Sequence, residues 1–370
     1  MNNNGNHIKV IIAGGGTGGH IFPAVAIAHA LKHQDAQTEI LFVGAKGKME
    51  MEKVPQEGYP IVGLEIAGFN RSNMLKNLLL PFKVLKSLLQ ANRILKTFKP
   101  QVVIGVGGYA SFPMLYLAQF KGIPTLIQEQ NSHAGKTNKI LGKKAAAICV
   151  AYAGMEKFFP KAHIVYTGNP VRKLISQSKV SRQDGLTAFG LGSQATTVLV
   201  VGGSQGAKSI NEAIAAAIPF FVEHGIQLIW QTGKGFYNTA VQAAEGHTGL
   251  IKVHDFIRNM DYAYAAADTV ISRAGALAIA ELCLVGKPVI FVPFPFAAED
   301  HQTHNAMALV DHNAALMVRD VDVQQELIPK LRHLQQDLKM QQILADNIKD
   351  FGISNADDHI ANEVRKLATR

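Results

Sequence analysis

Cysteine is scarce: the 370 residues hold only Cys149 and Cys283, far apart in sequence. That excludes a disulfide scaffold and points to a reducing compartment. One tryptophan and no zinc-finger spacing argue against a nucleic-acid partner, despite a net charge of +9. No stretch approaches the roughly 18 uninterrupted apolar residues of a spanning helix. The polar start MNNNGNHIKV leads straight into a strand pattern, without a secretory leader, so a cytosolic protein is expected. Acid is missing from one region altogether. Between Ile66 and Gln128 there is no Asp or Glu, yet Arg71, Lys76, Lys83, Lys86, Arg93, Lys96, Lys99 and Lys121 lie there.

Within that acid-free span, NMLKNLLLPFKVLKSLLQANRILKTFKP interleaves lysines with leucines at helical spacing. Two readings are open. A core-packed helix would turn a solvated basic face outward. An amphipathic surface would instead sit at the headgroup level of an anionic bilayer. The rest of the composition, 48% apolar and 18% charged, is that of a soluble globular chain, and its length exceeds one core.

The first half alternates β-branched runs with helical patterns. Residues 7–15, 38–44, 60–66, 101–108, 124–130 and 145–151 read as strands, and continuous apolar runs joined by helices indicate a parallel sheet covered on both faces. A Gly-Asn-Pro turn in KAHIVYTGNPVRKLI and the polar SQSKVSRQDG then break the pattern. The pattern restarts with TTVLVVGGSQGAKSINEAIAAAI, and strands follow at 226–233, 250–257, 267–275 and 287–295. The expectation is an α/β protein of two Rossmann-like domains with parallel sheets facing across a cleft, residues 1–166 and 167–349, with a C-terminal helix over 350–370 packing back on the first.

The opening loop AGGGTGGHIFPA satisfies G-x-G-x-x-G at Gly14, Gly16 and Gly19. A dinucleotide site also needs an acid at the end of the second strand, and after EILFVG the chain has Ala45, Lys46 and Gly47. The glycines are better read as letting backbone approach a ligand, with His20 in the first helical turn either as a base or as a turn cap. A second loop, GGSQGAKS, offers backbone N–H groups and the Ser204 hydroxyl to a pyrophosphate, without the G-K-[ST] of a P-loop. In SRAGALAIAEL, Glu281 is spaced to take ribose hydroxyls or to be an exposed helical carboxylate. Asp300, His301, Gln302, His304 and Asn305 suit sugar hydroxyls better than a metal, having neither a Cys nor an H-x-x-E-H order. DVD at 320–322 reads as a helix cap rather than as a metal-binding D-x-D.

Taken in order, GGGTGGHIFPA, VGGYASFP, EQNSHAGKTNK, GNPVR, VVGGSQGA, SRAGALAIAEL and DHQTHNA closely resemble one family, the UDP-N-acetylglucosamine:N-acetylmuramyl-(pentapeptide) pyrophosphoryl-undecaprenol N-acetylglucosamine transferases that make lipid II in bacteria. The resemblance runs almost end to end. It implies a GT-B type inverting glycosyltransferase whose C-terminal half binds UDP-N-acetylglucosamine and whose N-terminal half receives undecaprenyl-linked lipid I. It implies donor contacts at Arg172, Ser204, Ile257 (uracil), Ala276, Leu277, Ala278, Ile279, Ala280 and Glu281 (ribose). Gln302 and Asn131 would hold the sugar beside Thr17, Gly18 and Gly19. His20 would be the catalytic base, with Glu129 as an orienting or alternative carboxylate. No cofactor or tightly bound metal is expected. Residues 74–99 resemble the family's membrane-docking surface, which favours the bilayer reading. The implied location is peripheral, at the cytoplasmic face of the inner membrane, with other cell-wall synthesis proteins as further candidate partners.

Two departures stand out. The family commonly has His before EQN, where this chain has Gln128, and Ser132 and His133 replace the small or apolar residues usual after Asn131. Three rivals fit parts of the pattern. A UDP-N-acetylglucosamine 2-epimerase needs no lipid acceptor, a transferase with a soluble acceptor would lack the leucine/lysine stretch, and an NAD-binding regulator would need the missing acid.

Overall fold

The computed structural model describes residues 7–66, 80–160 and 163–369. Part of the basic leucine-rich stretch, residues 67–79, therefore lies outside the described residues, with Arg71 and Lys76. The chain divides into two compact units, residues 1–171 with 355–370 and residues 172–354.

In the first unit, β1 (Lys9–Ala13), β2 (Glu39–Ala45), β3 (Ile61–Leu64), β4 (Val102–Gly105), β5 (Thr125–Glu129), β6 (Ala147–Val150) and β7 (Ile164–Tyr166) form one parallel sheet in the order 3-2-1-4-5-6-7. Its helices include α1 (Gly18–Gln34), α2 (Glu50–Gln56), α3 (Leu80–Phe98), α4 (Ser111–Phe120) and α5 (Lys136–Leu141). Strand alternation divides the core. Val10, Ile12 and Ile104 pack with α1, whereas Ile11, Ala13 and Val103 pack with α3 and α4. Val10, Ile11, Ile12 and Ala13 are all at most 1% exposed, so the continuous apolar run reflects burial on both faces.

The second unit repeats the plan. β8 (Thr197–Val201), β9 (Gln227–Gln231), β10 (Ile251–His254), β11 (Thr269–Ser272), β12 (Val289–Phe291) and β13 (Leu316–Met317) run parallel in the order 10-9-8-11-12-13. In each sheet the order reverses beside the first strand of the unit, and loops diverging there leave a crevice at the carboxyl ends of the strands. Both glycine loops lie at such points.

Two features differ from the sequence reading. The strands β7 and β13, which it did not pick out, are very short edge strands and only partly buried. The junction between units falls at 171/172, not 166/167, because the Gly-Asn-Pro turn is tied to the first sheet. Thr167 N and Gly168 N donate to the Val150 carbonyl, and Asn169 Nδ2 donates to the Gln130 carbonyl at 2.9 Å. The last helix, Ala356–Ala368, does pack on α1, burying Ile360, Ala361, Val364 and Leu367. Each of the three larger side chains contributes about 1.5–3 kcal/mol by leaving water.

Cys149 and Cys283 are buried, and burial pushes both thiols up to about 12. Both should stay silent towards an aromatic disulfide reagent in native protein at pH 8, since the thiolate is the reactive form. Two equivalents per chain should appear on unfolding. Rapid native labelling would contradict the packing around β6 and the helix Ala276–Val285.

Candidate functional site

In the first unit, β1 leads through Gly14–Thr17 into α1, whose N-cap residue Thr17 is extended and makes no side-chain cap bond. The first-turn amides of Gly18 and Gly19 thus stand at an uncapped helix start, where the dipole favours an anionic ligand. His20 follows in that turn. Its Nδ1 lies 3.0 Å from the Gly15 carbonyl oxygen and 3.4 Å from Thr17 Oγ1. A carbonyl oxygen only accepts, so Nδ1 carries the proton and, in the neutral ring, Nε2 carries the lone pair. The loop after β4 closes over the other side of the ring. Gly107, at φ 96°, would place a Cβ 2.8 Å from His20 Nε2, so only glycine permits this approach.

Glu129, at the end of β5, is 2% exposed. Its Oε1 accepts from Asn131 N at 3.1 Å and Asn131 Nδ2 at 3.3 Å, and its Oε2 from Gly135 N at 3.1 Å and Asn138 Nδ2 at 2.8 Å. Burial raises its proton affinity, and those four bonds oppose the rise. With both oxygens committed, the carboxylate braces the 131–138 loop and fixes Asn131. In the same loop, His133 Nε2 lies 3.0 Å from Lys139 Nζ, and the His133 ring packs edge-on against Phe158. Gln128 is 0% exposed and gives Nε2 to Asn169 Oδ1 at 2.9 Å, while Gln130 Nε2 bonds Gln128 Oε1 and the Val106 carbonyl.

In the second unit, β8 leads through the glycine loop 202–206 into the helix Lys208–Ala216, again without a side-chain cap. Ser204 and Gln205 are exposed at its mouth. Gln231, which the sequence reading did not single out, joins this loop to the next. Its Nε2 donates to the Gly203 carbonyl at 3.1 Å, and its Oε1 accepts from Ile257 N at 2.8 Å. Ile257 is 5% exposed with its amide committed, so the polar group it retains for a base is its carbonyl oxygen.

The helix Ala276–Val285 starts at Gly275 without a side-chain cap. Ala276 and Ile279 turn into the core, at 9% and 2% exposed, whereas Leu277, Ala278 and Ala280 are half-buried. For Ala276 and Ile279, contact with a donor is thus confined to backbone. Glu281 is not the exposed helical carboxylate of one reading but a buried one, 7% exposed. Arg172 reaches it bidentately, Nε to Oε1 at 2.7 Å and Nη2 to Oε2 at 3.0 Å. Tyr264 Oη donates to Oε2 at 3.2 Å, and burial, then the Glu281 charge, keeps that phenol protonated well above its ordinary range. Arg172 and Glu281, 109 positions apart, are predicted site residues that meet directly, as are Glu129 with Asn131 and His20 with Thr17.

Gln302 accepts from Phe294 N at 3.0 Å through Oε1, which turns its amino group outward. Ahead of it, Glu299 and Asp300 hold left-handed backbone at φ 54° and 52°, a strain of about 1–3 kcal/mol each that marks functional loops. Asp320 of the DVD triplet accepts from Arg273 Nη1 and Ser209 Oγ, both at 2.5 Å, and braces the loop after β11. Among the described residues, no three His, Cys, Asp or Glu side chains cluster as a metal site would require.

On α3 the buried stripe is Ser87, Ala91 and Leu95, while Phe82, Leu85 and Leu89 are 71%, 58% and 65% exposed. One face of that helix packs on α4, and its outward face is apolar and basic.

Two parallel sheets, each with a glycine turn at its switch point, are the architecture of the GT-B class of glycosyltransferases. The family models agree, the glycosyltransferase family 28 N-terminal domain over residues 10–150 and its C-terminal domain over 197–361. The chain belongs to that family and, within it, to the group whose members are named UDP-N-acetylglucosamine–N-acetylmuramyl-(pentapeptide) pyrophosphoryl-undecaprenol N-acetylglucosamine transferase. It is 51% identical to the member from Phocaeicola vulgatus over 98% of this chain and 97% of that one. It is 52% identical to the member from Cytophaga hutchinsonii over 97% and 96%. The crystal structure of MurG from Acinetobacter baumannii matches with a TM-score of 0.80 at 30% identity, covering 97% of this chain and 99% of that one.

Glu281→Gln should raise the dissociation constant for UDP about 10- to 100-fold, because it breaks a charge-assisted pair and halves the acceptor capacity. Calorimetric titration of protein whose melting curve shows it folded measures this. An unchanged constant would remove Glu281 from the donor site.

Proposed function

We propose that the protein transfers N-acetylglucosamine from UDP-N-acetylglucosamine, with inversion, to the muramyl 4-hydroxyl of undecaprenyl-pyrophosphoryl-N-acetylmuramyl-pentapeptide. The observation that carries the mechanism is the His20–Gly15 bond, which leaves the Nε2 lone pair as the basic position. That nitrogen takes the proton of the attacking 4-hydroxyl. The oxygen bonds to C1 of the sugar as the bond from C1 to the diphosphate breaks. The departing diphosphate is met by the amides and positive dipole end of the helix Lys208–Ala216, with the Ser204 hydroxyl beside them, so no tightly bound metal is required.

In this reading Glu281 and Arg172 hold the ribose, Ile257 the uracil, and Gln302 and Asn131 the sugar, with Thr17, Gly18 and Gly19 alongside. Glu129 orients Asn131 and takes no proton itself. The outward stripe Phe82, Leu85 and Leu89, with Lys83, Arg93 and Lys96 exposed around it, suits an anionic bilayer surface, where the acceptor lipid resides. Exposed Phe120 and Tyr116 on the neighbouring helix α4 extend the apolar area. This reading puts the protein peripherally at the cytoplasmic face of the inner membrane, and the apolar, basic surface supports it.

His20→Ala should lower turnover about 10²–10⁴-fold while UDP affinity stays near normal. Labelled donor with and without the lipid acceptor is the assay, and full turnover in the variant would defeat the assignment. Release of free sugar from donor alone would favour an epimerase instead. Replacing Phe82, Leu85 and Leu89 together by serine should weaken binding to phosphatidylglycerol vesicles by more than about tenfold, since each loses roughly 1.5–3 kcal/mol of burial. Turnover of a water-soluble acceptor analogue should be preserved. Equal vesicle binding would exclude this face.

A further inference from the structure

Beneath the first glycine loop lies a buried carboxylate that neither the chemistry above nor the sequence reading used. Glu50 begins α2 and is 1% exposed. Its Oε2 accepts from Gly16 N at 2.9 Å and its Oε1 from Ala45 N at 2.9 Å. Among the described residues it forms no ion pair with Lys, Arg or His. Burying a carboxylate is costly unless hydrogen bonds replace its water, and here two backbone amides do so.

Space has been cleared for it twice. A Cβ at Gly15 or at Gly44 would overlap the Glu50 side chain, so glycine at both positions makes its slot. The Gly15 peptide is thereby gripped from several directions. Glu50 fills the space against its Cα and holds the next amide, Gly16 N. On its carbonyl side, a Cβ at Gly108 would overlap the Gly15 oxygen, so the loop after β4 is packed against it. That same oxygen accepts the hydrogen bond of His20 Nδ1. Burial first, and the Glu50 charge second, raise the Tyr109 phenol, which places Tyr109 of the loop after β4 within Glu50's field.

We propose that Glu50 is a positioning residue for the reaction: it fixes the Gly15–Gly16 peptide so that the Gly15 carbonyl holds the His20 imidazole in its Nδ1–H form and presents Nε2 to the acceptor. The inference rests on the reading of His20 as the base, and it adds the group that sets the base's tautomer. Glutamine is the informative replacement. Its amide oxygen can satisfy one of the two backbone N–H groups, and its NH2 then confronts the other donor to donor. The loop must shift, though size and shape are kept.

Three measurements test this on the full chain: turnover with the lipid acceptor, calorimetric titration with UDP, and 15N spectra of histidine-labelled protein, the His20 signal being the one lost in His20→Asn. In the wild type the spectrum should show the Nδ1–H tautomer. Glu50→Gln should lower kcat about 10- to 100-fold, as expected for a slightly misplaced catalytic group. It should also move the His20 15N shifts towards a mixture of tautomers. The Kd for UDP should stay within about twofold, because the groups assigned to the uracil, ribose and diphosphate belong to the other unit. Glu52→Gln, on the exposed side of α2, should change none of these.

A wild-type His20 found as the Nε2–H tautomer would overturn the proposal without any variant, so it remains testable even if Glu50→Gln folds poorly. So would a folded Glu50→Gln protein with unchanged kcat and His20 shifts. If His20→Ala keeps full turnover while Glu50→Gln still moves the His20 tautomer, the positioning role stands and the base assignment fails. If His20→Ala is inactive and Glu50→Gln is indifferent, the reverse holds.

Discussion

The hydrogen bond between His20 Nδ1 and the Gly15 carbonyl, 3.0 Å long, ties one ring nitrogen to the backbone and so decides which nitrogen can act. An imidazole on an unsupported helix start would exchange tautomers and rotate. Here the acceptor is a main-chain oxygen in a loop with no side chain of its own at Gly14, Gly15 or Gly16. A loop that bare has little stiffness, so its rigidity must come from what is packed around it: the loop after β4 above and a carboxylate below. The glycines that look like flexibility in the sequence are, in the fold, positions emptied so that other groups can come close.

Three buried carboxylates share this role of bracing, with different remainders. Glu50 is saturated by two backbone amides. Glu129 is saturated by two loop amides and two asparagine side chains, which makes it a firm anchor for Asn131. Glu281 differs because two of its partners are mobile in principle. An arginine with its side chain 44% exposed and a tyrosine hydroxyl hold it, and side-chain partners rearrange more easily than backbone amides. Satisfaction by backbone builds scaffold, whereas Glu281, held by side chains, is the carboxylate that the proposed function assigns to the ribose.

The sequence made the two sheets legible because both faces of each are covered, which writes unbroken apolar runs. It made the glycine loops legible because a turn at a switch point needs glycine regardless of tertiary context. Glu50, Gln231 and Tyr264 escaped because each acts through partners distant in the chain or through backbone amides, which no residue pattern records. Glu50 sits six residues after the second strand's Gly44, in an ordinary helical stretch of alternating charge. Only the unexplained Gly44 inside an otherwise apolar strand hinted that something large had to fit beside it. The α3 leucines were ambiguous for a different reason. A helix apolar on two sides has the same spacing whether the second side meets protein or lipid, and exposure alone separates Leu95 from Leu85 and Leu89.

Gln128 shows how a departure from the family pattern can be absorbed without touching a ligand. At 0% exposed it cannot reach an acceptor, so the residue at this position serves the interior. An amide chain runs from the Val106 carbonyl through Gln130 and Gln128 to Asn169, and Asn169 returns a bond to the Gln130 carbonyl. It ties the strand end beside Gly107, and hence the floor under His20, to the Gly-Asn-Pro turn where the first unit ends. Amides donate and accept without titrating, whereas a histidine there would change its hydrogen-bonding pattern on protonation. In this chain, then, the strand end behind the His20 ring is tied to the Gly-Asn-Pro turn by amides that carry no charge.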